Sequence, residues 1–236
     1  MATTTAATFS VLLVTAAPPG SGGDAGGAFV KIDGREALLR SVEQFLNRDN
    51  VKQVQVCFTP DALEEGKRKY GGHLGLFGVK VISGGPRWID QLAAAADKIA
   101  PEATHVIVHD AARCGVPYPD IDALMEAAPR HPAVALIAPL RAPLVEVDEG
   151  GGALAIQPAS RFMQLLTPQC YARERFLEAA KSKQEPHASQ WTLLNGSPLN
   201  VRVNGGGDAS FAKAMLGLLP KPKMRVSTNP FEEAQW

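Results

Sequence analysis

Short apolar runs alternate with longer segments of helical period along most of this chain. Residues 10–15, 53–58, 80–82, 104–109, 133–138 and 199–203 are brief and mostly Val-, Ile- or Leu-rich, which predicts strands rather than buried helices. Between them, 35–47, 61–69, 87–99, 121–128, 172–182 and 209–216 carry apolar residues at helical spacing. Such alternation predicts βα units around a mainly parallel sheet flanked by helices, a Rossmann-like α/β fold. One stretch differs: Val145, Val147, Leu154 and Ile156 alternate on either side of Glu149-Gly150-Gly151-Gly152, the pattern of a β-hairpin. An arm over about 140–160 is therefore expected to project from the sheet. The Pro-rich, polar stretch 220–236 reads as a tail after a single domain spanning 1–219.

Composition narrows the possible partners. The 236 residues are 45% hydrophobic, enough for one large core. Lys plus Arg and Asp plus Glu are 24 each, so no global field draws in nucleic acid or an anionic membrane, and any phosphate site must be local. No segment approaches the roughly 18 apolar residues of a membrane span, and the apolar run 9–17 lacks the basic flank of a signal peptide. Cys57, Cys114 and Cys170 are odd in number and widely spaced, which fits reduced thiols and a cytoplasmic location.

In an open parallel sheet, chemistry gathers just beyond the carboxyl ends of the strands. After the first strand comes a glycine-rich loop containing Ala16, Ala17 and Gly20, whose backbone could approach a phosphate or could simply be flexible. It has neither the GK[ST] ending of a P-loop nor clean GxGxxG spacing. After the third strand, Ser83-Gly84-Gly85-Pro86-Arg87 opens a helix, combining flexible backbone, a helix N-terminus and a guanidinium. After the fourth stands His109-Asp110-Ala111-Ala112-Arg113. There a carboxylate could hold Mg²⁺, or could cap the next turn and pair with Arg113. His109 reads as orienting this loop rather than as a base. Finally, Thr167-Pro168-Gln169 precedes a helix, where the Thr167 hydroxyl could meet a phosphate.

Taken in this order, Gly84 to Arg87, His109 to Arg113, Thr167 to Gln169 and Asn200-Val201-Arg202-Val203-Asn204 resemble the 2-C-methyl-D-erythritol 4-phosphate cytidylyltransferase family. That resemblance implies CMP transfer from CTP to 2-C-methyl-D-erythritol 4-phosphate with Mg²⁺ as cofactor. It implies Arg87 and Arg202 as catalytic residues. Ala16, Ala17, Gly20, Gly84, Gly85, Arg87 and Ala111 would lie on the nucleotide, and Asp110, Arg113, Thr167 and Arg202 on the sugar-phosphate or polyol-phosphate. Asp110 would be the metal ligand, and a homodimer would form through the hairpin arm.

The sequence also departs from that pattern. Residues 1–30 contain no Arg or Lys, Gly26-Gly27 stand where the family carries Pro-Lys, and Lys31 is off register. Ala142 to Val145 replace a DTxK segment, Glu185 to Ser189 replace TDEAS, Arg202 replaces a Lys, and Asp90 replaces a serine beside the nucleotide. These departures define a second expectation: a degenerate homologue that binds nucleotide or sugar-phosphate with little catalysis, or that acts on another substrate. A dinucleotide-dependent dehydrogenase is disfavoured, since Phe58-Thr59-Pro60 supplies no acidic residue at the end of the second strand.

Overall fold

The computed structural model describes residues 6–21 and 25–219. Seven strands form one sheet in the order β11 (Thr192–Asn195), β7 (Ala133–Pro139), β10 (Met163–Ala172), β6 (His105–Asp110), β1 (Phe9–Val14), β4 (Val51–Phe58) and β5 (Lys80–Ser83). Neighbours pair parallel except where β10 runs antiparallel to β6 and β7. A two-residue hairpin, β2 (Lys31–Ile32) and β3 (Arg35–Glu36), turns through Asp33 and Gly34, both at positive φ.

The side-chain alternation of β1 shows why both faces of the sheet must be covered. Val11 and Leu13 pack on one side with Leu38, Val42 and Phe45 of α1 (Ala37–Leu46), Tyr70 and Leu74 of α2 (Pro60–Leu76), and Ile121 and Leu124 of α4 (Tyr118–Ala127). Leu12 and Val14 pack on the other with Trp88 and Leu92 of α3 (Trp88–Ala95) and Phe176 of α5 (Arg173–Ser182). The last helix, α6 (Ala209–Gly217), packs Ala212 against Ile32 and Val203. The mainly parallel, helix-flanked sheet is thus as the hydrophobic pattern predicts.

One expected strand is corrected, and two strands of the seven-stranded sheet lie outside the expected set. Residues 199–203 form no strand; Val203 N–H donates to the Ala112 carbonyl and the Asn200 carbonyl accepts from Arg113, so this backbone serves the site instead of a ladder. The edge position beside β7 belongs to β11, a four-residue segment too short to register as a period. Residues 165–171, which precede a helix as expected but are not among the expected strands, lie within β10, whose register shifts between Leu166 and Gln169 where Pro168 has no N–H to give. The Thr167–Pro168 peptide there is cis.

α2 continues past its expected end at residue 69, through Gly71, Gly72 and Gly75, to Leu76. Burial of Leu74 and the close seat of Gly66, where a Cβ would fall 2.7 Å from the Phe58 ring, hold it helical despite poor intrinsic propensity. The arm is observed as β8 (Leu144–Val147) paired antiparallel with β9 (Ala153–Gln157). Its turn is closed by Asp148, whose Oδ1 accepts from the Gly150 and Gly152 N–H groups. The expected tail 220–236 lies outside the described residues, and no helix among them is long and apolar enough to cross a membrane.

Candidate phosphate and nucleotide site

Chain order makes the site's position a consequence of topology. From β1 the chain steps outward through β4 to β5, then returns to place β6 on the opposite side of β1. The crevice beyond the carboxyl ends of β1 and β6 is the switch point at which open α/β sheets receive ligands. Val14 and Asp110 sit in register across it, and the Ala111 N–H donates to the Val14 carbonyl at 2.9 Å.

Asp110 is 1% exposed, and its carboxylate is held by two contacts. Oδ1 accepts from the Ala112 N–H at 3.0 Å, and Oδ2 accepts from Arg202 Nε at 2.8 Å. Arg113 Nε stands 3.9 Å from Oδ2 without a hydrogen bond, while its Nη1 donates to the Asn200 carbonyl at 2.6 Å. The carboxylate therefore caps the turn, and its stronger ion pair is with Arg202 instead of the sequence neighbour Arg113. Burial pushes the Asp110 carboxyl up, against the pull of Arg202, and burial lowers the Arg113 guanidinium. Two guanidiniums surround one carboxylate, leaving an excess positive charge in a desolvated corner.

Thr167 lies beneath this cluster. Its Oγ1 accepts from the Asp110 N–H at 3.0 Å and lies 3.1 Å from His109 Nδ1, so the hydroxyl is committed to the protein and 3% of the residue is exposed. His109 is fully buried, with Nε2 at 2.9 Å from the Arg113 carbonyl, and desolvation lowers its pKa to about 3, which keeps it neutral. It orients the loop, as the sequence reading expects.

The glycine-rich elements approach from the β1 side. Gly27 passes so close under Val203 that a Cβ would fall 1.8 Å from the Val203 carbonyl oxygen, and only glycine fits. Ala16 is buried and Ala17 half-buried, while Gly20 adopts φ +73° at the described edge of the loop, residues 22–24 lying outside it. Gly84 and Gly85 are also constrained, a Cβ meeting Cys57 Sγ at 2.6 Å and Asp90 Cβ at 2.7 Å respectively. Arg87 is mostly exposed and donates through Nε and Nη2 to Asp90 at 2.7 and 2.9 Å. Lys183 Nζ reaches the same carboxylate at 3.2 Å, so the charge of Asp90 is compensated twice.

Three contributors have roles that the sequence reading did not assign. Asn200, 2% exposed, donates from Nδ2 to the Thr167 carbonyl at 2.7 Å and so joins Thr167 to Arg113. Ser41 Oγ donates to the Ala111 carbonyl at 2.9 Å. Gln91 bridges the β1 turn and the Gly84–Gly85 turn. The available signal was a polar residue on an apolar helix face, since Gln91 sits among the buried Trp88, Leu92 and Ala95.

Among the described residues no three His, Cys, Asp or Glu side chains converge as a metal cage. Asp110 is a single carboxylate with one lone pair on each oxygen beyond those already engaged. With two guanidiniums beside it, this one carboxylate could hold Mg²⁺ only together with phosphate oxygens, which would bring the negative charge the corner lacks and, with water, complete the ion's shell.

Comparison with known proteins agrees with this architecture. The profile of the 2-C-methyl-D-erythritol 4-phosphate cytidylyltransferase family matches residues 11–216. A protein of that name from Saccharopolyspora erythraea is 31% identical over 204 residues, covering 80% of this chain and 90% of its own. One from Frankia casuarinae is 32% identical over 154 residues, 65% of this chain; the matched segment spans 56% of that protein's length. The crystal structure of 4-diphosphocytidyl-2C-methyl-D-erythritol synthase from Anaerococcus prevotii superposes with a TM-score of 0.71 at 14% identity, covering 90% of this chain and 97% of that one.

Proposed function

The chain belongs to the 2-C-methyl-D-erythritol 4-phosphate cytidylyltransferase family, and from that premise we propose that it transfers CMP from CTP to 2-C-methyl-D-erythritol 4-phosphate, releasing pyrophosphate. The observation that carries the reading is the convergence of Arg202, Arg113 and Thr167 on Asp110 at the switch point of the sheet.

In this reaction a phosphate oxygen of the acceptor forms a bond to the α-phosphorus of CTP. The bond from that phosphorus to the pyrophosphate bridging oxygen breaks, and its electron pair leaves with pyrophosphate. A phosphate oxygen is already ionised near neutral pH, so no general base is required, which accords with a buried, neutral His109. What the protein must supply is position and positive charge.

We assign the acceptor phosphate to Arg113 and Arg202, with Thr167 beneath them placing the Asp110 loop through its engaged hydroxyl, and with Arg202 also facing the charge that develops on the α-phosphate. We assign the nucleotide to the backbone of Ala16, Ala17, Gly20, Gly84, Gly85 and Ala111, with Arg87 leaving Asp90 for a phosphate while Lys183 keeps that carboxylate paired. Asp110 would hold Mg²⁺ together with the triphosphate, the ion supplying charge neutralisation that the Lys- and Arg-free first loop does not.

Residues 1–219 would act as one catalytic unit in the cytoplasm. A homodimer would form through the arm, where Val145, Val147, Leu154 and Ile156 are each more than half exposed. The reading is tested by incubating the protein with CTP, Mg²⁺ and the acceptor and following the CDP-linked product chromatographically. Its formation with CTP in preference to ATP, GTP and UTP is expected, and its absence with all four would overturn the assignment.

A further inference from the structure

We propose that Gln91 is a positioning residue that locks the two halves of the nucleotide site into one wall, so that its carboxamide sets affinity for CTP without touching the reaction. The inference rests on the nucleotide assignment above.

Gln91 is fully buried at the second turn of α3, with apolar neighbours on the same helix face. Its carbonyl Oε1 accepts from the Thr15 N–H at 3.0 Å and, more weakly, from the Ala16 N–H at 3.5 Å. Its Nε2 donates to the Gly85 carbonyl at 3.3 Å and lies 3.5 Å from Thr15 Oγ1. That hydroxyl in turn donates to the Cys57 carbonyl at 2.9 Å, at the end of β4. One carboxamide therefore ties the end of β1 to the turn after β5, while Thr15 itself ties the end of β1 to β4, three strands whose carboxyl ends form one side of the crevice.

The chemistry of this link is specific to an amide. The Thr15 and Ala16 positions offer donors and Gly85 an acceptor, so the bridging group must accept at one end and donate at the other. A hydrocarbon of the same length would fill the space but take this partner from the Ala16 N–H and the Gly85 carbonyl and leave the Thr15 N–H only its longer bond to the Cys57 carbonyl at 3.3 Å, and a carboxylate would satisfy only the acceptor end. The glycines of this turn carry no side chain that could reach the β1 loop, and its backbone tie runs to β4 instead, from the Gly84 N–H to the Phe58 carbonyl at 2.9 Å. Its position relative to Ala16 is therefore imposed from outside, and Gln91 is the side chain that spans both.

The test compares wild type with Gln91→Met and Gln91→Glu. Gln91→Met removes both halves of the link at nearly constant volume, and we expect the KM for CTP to rise about tenfold, with kcat and the KM for the acceptor changing less than about twofold. Gln91→Glu, retaining the acceptor, should recover part of that loss. Amide hydrogen exchange without ligand gives a second readout: Thr15 and Ala16 should exchange faster in Gln91→Met than in wild type. Unchanged exchange at both amides, or faster exchange with an unchanged KM for CTP, overturns the inference. Equal increases in the KM of both substrates overturn it as well, since they mark a general structural defect. A wild type that neither binds nor consumes CTP overturns the functional assignment instead, and the exchange rates still decide whether the brace exists.

Discussion

Arg202 Nε donates to Asp110 Oδ2 at 2.8 Å, and the two side chains are 6% and 1% exposed. The pair joins the end of β6 to a segment 92 residues later that has no regular structure of its own. Removing one member of such a pair leaves the other charged in low dielectric. Arg202→Met should therefore destabilise the fold by about 3 kcal/mol in urea unfolding. Arg202→Lys, keeping charge but losing the guanidinium fork, should cost less stability while still impairing turnover.

His109 makes the fold sensitive to acid. Its pKa falls from an ordinary 6.5 to about 3 through desolvation, so below pH 6.5 the unfolded chain takes up a proton that the folded chain refuses. The stability from this group is complete above 6.5 and should decline by about 1.4 kcal/mol per unit as pH falls toward 3. Unfolding free energies measured between pH 7 and 4 should show this slope in wild type and a flatter one in His109→Gln.

Gly27 is fixed by contact with Val203, not by an unusual φ. A methyl group there would stand 1.8 Å from a backbone oxygen and must push the 200–204 segment away from the Ala112 loop. Gly27→Ala is expected to lower stability by roughly 2–3 kcal/mol and to reduce turnover further than the lost stability explains. Gly20→Ala, in open space but at φ +73°, should cost about 1 kcal/mol and serves as the comparison.

Ile156 is 77% exposed and paired in register with Val145 across the arm. A charge there should disfavour burial against a second copy. Ile156→Glu is expected to convert the proposed dimer to a monomer by sedimentation velocity, with little change in the melting of the main sheet, since among the described residues the strands of the arm pair only with each other.

Much of this architecture was legible in the sequence, for identifiable reasons. β1, β6 and β7 are buried on both faces, so their apolar runs stand out against polar helix surfaces, and β4 alternates Val54 and Val56 with the buried Gln53 and Gln55. Asp110 and Arg113 were visible because they directly follow such a run. The roles of Asn200 and Gln91 were not, because they arise from contacts with Thr167 and Thr15 that are 33 and 76 residues distant. Residues 199–203 misled for a related reason: of their apolar members only Val203 is buried, against Ile32 and Ala212, and the backbone of the segment bonds to Ala112 and Arg113 without joining the sheet. The strand character of 163–172 was hidden by Pro168, which sits at the one place where the ladder is already interrupted.

The central claim is that the Asp110 cluster supports nucleotidyl transfer, and its most direct test is pyrophosphate release from CTP with Mg²⁺ and 2-C-methyl-D-erythritol 4-phosphate, wild type beside Asp110→Ala at equal concentration. Release that requires both substrates and falls at least about a hundredfold in the variant is the predicted result. Wild-type release no greater than background, or a variant as active as wild type, would contradict it.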